Sequence, residues 1–186
     1  MIKKLQELEE AILNTEITVK SEKIFEGKII NLKVDTVELK NQKYAKREIV
    51  EHKSASAILA INDKDEMLLV RQYRKAVEDF LYEVPAGIVN IAEEPTECAL
   101  RELKEETGYE AKIINQIYEF YTSPGFSNEK VFLFQAKDLT YSSTNFDEDE
   151  CIETISVSKD EAKKMMETGR ITDSKTLIAI IHWLNS

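Results

Sequence analysis

Cysteine, proline and glycine are all scarce in this chain of 186 residues: two, three and five, respectively. Cys98 and Cys151 show neither metal-ligand spacing nor a disulfide framework, which fits a reducing compartment, and a cytoplasmic location is expected. No apolar run approaches the length of a membrane span, so no membrane partner is expected. The opening stretch, MIKKLQELEEAILN, spaces Ile2, Leu5, Leu8 and Ile12 as an amphipathic helix rather than as a secretory leader. There is no Lys/Arg block, and the formal net charge is -10. A surface of that sign excludes general binding to a nucleic-acid backbone. An anionic ligand would need local cations, from arginines and a metal ion, to approach such a chain.

What is present is ordinary for a globular protein, 42% apolar and 32% charged, enough for a sizeable core. After the first helix, EITVKSEKIFEG, IINLKVDTVELK and YAKREIVEH read as three strands of a small sheet. In the middle strand Leu32, Val34, Thr36 or Val37, and Leu39 are read as its apolar face. SASAILAIND and EMLLVRQYR are apolar enough to be buried strands, and FLYEVPAG follows them. AKIINQIYEFY, KVFLFQAKDL and CIETISVS are again strand-like. Ser158 and Glu161 form a capping box for a helix stopping at Gly169, and DSKTLIAIIHWLN reads as a last amphipathic helix. Mixed strands with one central and two late helices predict an α+β fold, not a regular βαβ alternation. Two regions are expected, 1–53 and 54–186.

All three prolines and three of the five glycines fall between residues 85 and 125, so special backbone geometry is concentrated there. Within that stretch, Pro95 suits the first turn of a helix and Gly108 its stop. Between them Glu102, Glu105 and Glu106, at i, i+3 and i+4, share one face. Thr96, Ala99, Leu100, Leu103 and Thr107 are expected to pack on the core. Like charges at this spacing repel by a few tenths of a kcal/mol per pair. Two readings are open for the face: a solvated charged surface, or hard oxygen ligands for a divalent cation.

The spacing of the whole stretch adds a second kind of information. Gly87, Glu93 and RELKEETGY fit G-x5-E-x7-REUxEExGU at every fixed position, with Tyr109 where an aliphatic residue is commoner. By this motif the chain resembles the Nudix hydrolases. The resemblance implies a Nudix fold, a mixed β-sheet core sandwiched by helices, with the N-terminal small antiparallel sheet beside it. It also implies Mg2+ (or Mn2+) held by Glu102, Glu106 and the Ala86 carbonyl, and Glu105 as ligand or water-positioner. Arg101 would orient a carboxylate of the motif, with Glu93 its expected partner.

Residues outside the motif resemble the ADP-ribose pyrophosphatase subgroup of that family. Pro124 lies fifteen residues past the motif in YTSPGFSNE, and VRQYR precedes YEVPAG. The alternative for Pro124 is a plain turn. The resemblance gives Arg74 the substrate phosphates, with a surface arginine as the alternative. It makes Glu83 a substrate contact, with a solvent-facing strand residue as the alternative. The acidic loop NFDEDECIE is by default a solvated turn; the resemblance instead makes Glu148 the general base and Glu150 metal-linked. The subgroup also implies a homodimer formed through the small sheet, with Phe25 (less so Tyr44) stacking on adenine and Arg47 reaching substrate from the partner chain. The expected ligand is thus a nucleoside diphosphate sugar, ADP-ribose, cleaved to AMP and ribose 5-phosphate. Hydrolysis of GDP-mannose or ADP-glucose, or a non-catalytic nucleotide sensor, are the rival expectations.

Overall fold

The computed structural model describes residues 15–40, 42–142 and 153–186. They divide into two compact units, one holding the described residues up to Lys53 with Ser123–Glu129, the other Ser54–Thr122 with Lys130–Ser186. The stretch expected to form an opening helix, together with Glu148 and Glu150, lies outside the described residues.

In the first unit, β1 (Ile17–Glu26), β2 (Ile30–Glu38) and β3 (Tyr44–His52) form an antiparallel sheet in sequence order. Of the positions expected on the apolar face of β2, Val37 is buried while Leu32, Val34, Thr36 and Leu39 are half-buried, and the other buried position is Asp35. A carboxylate can take that place because Ser21 Oγ donates to Asp35 Oδ1 at 2.6 Å and Lys33 Nζ lies 3.6 Å from its other oxygen. Strand β1 is exposed at nearly every position, Ile17, Val19, Ile24 and Phe25 included. Pro124 occupies a turn closed by Phe126 N–H to Ser123 O at 3.1 Å, and this segment bonds to β3 through Val50 N–H and Phe126 O at 2.8 Å.

The second unit holds two sheets. One runs β7 (Ala86–Ile88), β4 (Ala55–Ala60), β9 (Lys130–Tyr141), β8 (Tyr109–Tyr121), with β4 and β9 parallel and the other pairs antiparallel. The other runs β10 (Glu153–Val157), β5 (Met67–Arg74), β6 (Asp79–Glu83), all antiparallel. Helix α1 (Pro95–Thr107) precedes β8; α2 (Lys159–Glu167) and α3 (Ser174–Leu184) follow β10. Strand β4 is apolar on both faces because both are covered. Ala57 and Leu59 pack in a cluster with Met67, Leu69, Met165, Ile180 and Trp183, towards α2 and α3. Ile58 and Ala60 pack with Leu68, Ala99, Leu103 and Phe134, towards α1. Leu103 is fully buried, and truncating such a leucine to alanine costs about 2–5 kcal/mol. That packing fixes α1 against the sheet, and with it the carboxylates it carries.

Candidate active site

Helix α1 is held at both ends. Pro95 opens it, Glu97 accepts from the Glu94 N–H at 3.3 Å, and Ser56 Oγ of β4 donates to the Pro95 carbonyl at 2.7 Å. Gly108 ends it with φ 76°, its N–H on Lys104 O at 2.9 Å, a conformation that favours glycine. Thr154 of β10 donates to the Glu106 carbonyl at 3.0 Å.

The inward face is rotated from the one expected. Cys98, Ala99, Leu103, Glu106 and Thr107 are buried, whereas Thr96 and Leu100 are exposed. Glu106, only 5% exposed, therefore points inward, and its Oε2 accepts from the Ala86 N–H at 3.1 Å. Pairing with that backbone group satisfies part of the carboxylate's need for donors.

Arg101 is the hub. Its Nε and Nη2 grip Glu93 bidentately at 2.8 and 3.1 Å, and its Nη1 reaches Glu102 at 2.6 Å and Glu105 at 2.9 Å. Nη2 also lies 3.3 Å from the Ile88 carbonyl and 3.5 Å from Cys98 Sγ. A planar fork with donors in fixed directions can hold several carboxylates that a lysine could not. The Arg101 hydrogen bonds hold the Glu93 carboxyl well below its ordinary range, at about 2, with help from the Asn90 N–H at 2.8 Å. The Arg101 guanidinium is correspondingly more basic. Burial pushes the Cys98 thiol up to about 11, so it stays protonated and unreactive.

Gly87 has a distinct task. A Cβ on it would overlap the carboxylate carbon and both oxygens of Glu102. The missing side chain is the space that the Glu102 carboxylate fills, pressed against the backbone of β7. Three carboxylates thus gather around one guanidinium and a fourth, Glu106, is held by the Ala86 N–H, together a set of hard oxygens of the kind a divalent cation takes. Among the described residues, no three His, Cys, Asp or Glu side chains are grouped so as to hold a metal ion, and three of these carboxylates are engaged by Arg101.

A second ionic cluster adjoins this segment of chain. Glu83 is neither solvent-facing nor open to a ligand: it is 1% exposed, and both oxygens are taken. Arg74 donates Nε to Oε1 at 2.7 Å and Nη2 to Oε2 at 2.8 Å, and Lys175 Nζ donates to Oε2 at 2.6 Å. Burial alone would raise this carboxyl, but the two cations outweigh it and hold it at about 2. Sequence reasoning missed Lys175 and Asp173; the N-cap spacing Asp173/Thr176 was a readable cue for the helix start, though not for its lysine.

Of the remaining sequence-derived residues, Phe25, Arg47 and Pro124 belong to the first unit, and Arg74, Glu83, Ala86, Arg101, Glu102, Glu105 and Glu106 to the second. The Phe25 ring lies against Gly27, and Arg47 pairs with Glu16, Nε to Oε2 at 2.9 Å.

The chain is similar to known proteins along nearly its whole length. The NUDIX domain matches residues 50–178. An ADP-ribose pyrophosphatase of Bacillus subtilis (strain 168) is 46% identical over 167 residues, 89% of this chain and 90% of that protein. A methanol dehydrogenase activator of Bacillus methanolicus is 44% identical over 167 residues, with the same shares covered. A crystal structure of an ADP compounds hydrolase superposes with a TM-score of 0.83 at 22% identity, covering 92% of this chain and 95% of that one, a likeness of fold. The family match spans the stretch that carries Gly87, Glu93 and Arg101, and with these relatives it shows that the chain belongs to the Nudix hydrolase family.

Proposed function

We propose that this chain is an ADP-ribose pyrophosphatase, a cytoplasmic homodimer that hydrolyses ADP-ribose to AMP and ribose 5-phosphate. The observation that carries the reading is the Arg101 hub, which gathers Glu93, Glu102 and Glu105 beside the buried Glu106. The 46% identity to an ADP-ribose pyrophosphatase supports the choice of substrate.

Mg2+ (or Mn2+) would be held by Glu102, Glu106, the Ala86 carbonyl and Glu150. When bound, such an ion supplies Lewis acidity to the diphosphate and lowers the pKa of a coordinated water. The chain's own residues do the rest. Arg74 binds the substrate phosphates and offsets charge that develops as phosphorus is attacked. Glu105 positions the water, and Glu148 takes its proton. Arg101 keeps Glu93, Glu102 and Glu105 aligned rather than touching substrate. Residues 1–53 would form the dimerisation region, supplying Phe25 against the adenine and Arg47 near the substrate of the partner, with Pro124 shaping the loop beside it. The exposed apolar Ile17, Val19, Ile24 and Phe25 of β1 support a partner covering that sheet.

A panel of ADP-ribose, ADP-glucose, GDP-mannose and NADH with Mg2+, with products separated by chromatography, tests the reading. ADP-ribose is expected among the best substrates by kcat/KM, and Glu106→Gln is expected to lose most turnover while staying folded. Preference for GDP-mannose or ADP-glucose would move the assignment to another nucleotide sugar. The 44% identity to a methanol dehydrogenase activator favours a second reading, action on a dehydrogenase. It is tested by the methanol dehydrogenase rate with and without this protein; no change removes it.

A further inference from the structure

Glu83 raises a physical question, because a carboxylate as buried as this one is costly unless every oxygen is satisfied. Arg74 alone would meet that need in part, and it does so with Nε and Nη2, one edge of its fork. The other edge, Nη1, is then aimed by the orientation of Glu83, since the guanidinium is planar and rigid. What fixes Glu83 in turn is Lys175, whose ammonium bonds Glu83 Oε2 at 2.6 Å and Asp173 Oδ1 at 3.0 Å.

These contacts close a ring between the end of β6 and the start of α3. Asp173 Oδ2 accepts from Thr176 N–H at 3.0 Å and from Thr176 Oγ1 at 2.6 Å. The same hydroxyl accepts from the Val84 N–H at 2.8 Å, next in the chain to Glu83. Two residues on, the Ala86 N–H binds Glu106, and between them the Pro85 carbonyl accepts from Ile58 N–H at 2.9 Å. Arg74 is thereby referenced, through one short run of backbone, to the carboxylates of α1.

We propose that Lys175 is a positioning residue which, through the Glu83 carboxylate, sets the orientation in which Arg74 meets the substrate's phosphates. The proposal rests on the reading of Arg74 as a phosphate-binding group. Lys175 does not touch the substrate; it acts by restricting the freedom of the group that does.

Steady-state hydrolysis of ADP-ribose by the full-length protein with Mg2+ tests it, with thermal melting alongside. Lys175→Met is expected to raise KM about tenfold, the lower end of what an orienting partner contributes, with kcat falling as well because Arg74 also offsets charge in the transition state. Lys175→Arg, which keeps the charge and can reach both carboxylates, is expected to restore most of the loss. In an Arg74→Met background, Lys175→Met is expected to add no further increase in KM. A wild-type KM for Lys175→Met, no rescue by Lys175→Arg, or full additivity with Arg74→Met would each overturn the proposal. Should Lys175→Met not fold, the pair Glu83→Gln with Lys175→Met removes the buried charge and its partner together. That pair is expected to show the same rise, and a wild-type KM there overturns the proposal. Arg74→Met at wild-type KM would instead remove the phosphate role of Arg74, and the proposal with it. Wild-type protein inactive on ADP-ribose would sink the functional reading before the variants are compared.

Discussion

Replacing Gly87 by alanine puts a methyl group where the Glu102 carboxylate lies. Gly87 is not among the positive-φ residues, so the backbone accepts alanine without strain and the whole conflict falls on the end of a flexible side chain. Glu102 must turn away, losing its 2.6 Å bond to Arg101 Nη1. Arg101 is about a third exposed, so solvent softens the loss to about 1 kcal/mol, or about 2–4 °C in Tm. Activity should suffer far more than stability. Displacing a reacting group by about 1 Å can cost about 10²-fold, or about 2.7 kcal/mol of transition-state stabilisation. The assay is kcat/KM for ADP-ribose over a Mg2+ titration, with melting curves as the control for folding. Gly87→Ala should fall about 100-fold in kcat/KM and require more Mg2+ for half-maximal rate. Placed on Glu102→Ala, which vacates the space, the same methyl should add little. Activity within about threefold of wild type, or a penalty that adds in full to Glu102→Ala, would refute the idea that this glycine exists to seat Glu102.

Two further outcomes are expected. The folded Glu83 carboxyl sits at about 2, below its unfolded value near 4.5, so its stabilisation is complete above pH 4.5 and is lost as pH falls through 2. The stability advantage of wild type over Glu83→Gln should therefore narrow as pH falls through that window in urea melts; a gap independent of pH would contradict the assignment. Sedimentation of the wild-type chain should give a dimer, and Val19→Lys with Ile24→Lys on β1 should shift it towards monomer; an unshifted dimer would place the interface elsewhere.

The most informative part of the chain was legible because its determinants are local. Helical periodicity puts Glu102, Glu105 and Glu106 together, and Arg101 lies within reach of Glu93 a short distance upstream. Buried strands β4 and β5 announce themselves by continuous apolar residues. The rotation of α1 was not readable, because Cys98, Glu106 and Thr107 are buried alongside the apolar residues while Leu100 is left outside. Polar groups that find partners inside defeat an apolar-stripe argument, and Asp35 on β2 did the same. The Glu83–Lys175 bond joins residues 92 apart in sequence, a pairing no spacing rule encodes. It exists only because α3 begins where β6 ends.

Arg101 carries one more implication. Carboxylates that would repel each other already have their counter-ion within the chain. If the proposed metal role holds, folding would not wait for the ion, unlike domains whose ligands collapse together only around one. An ion bound there would compete with a resident guanidinium rather than fill a void, which would favour exchange over permanent retention. A cell starved of divalent ions would keep an intact, idle stock of this protein. Resupply would switch that stock on without new synthesis.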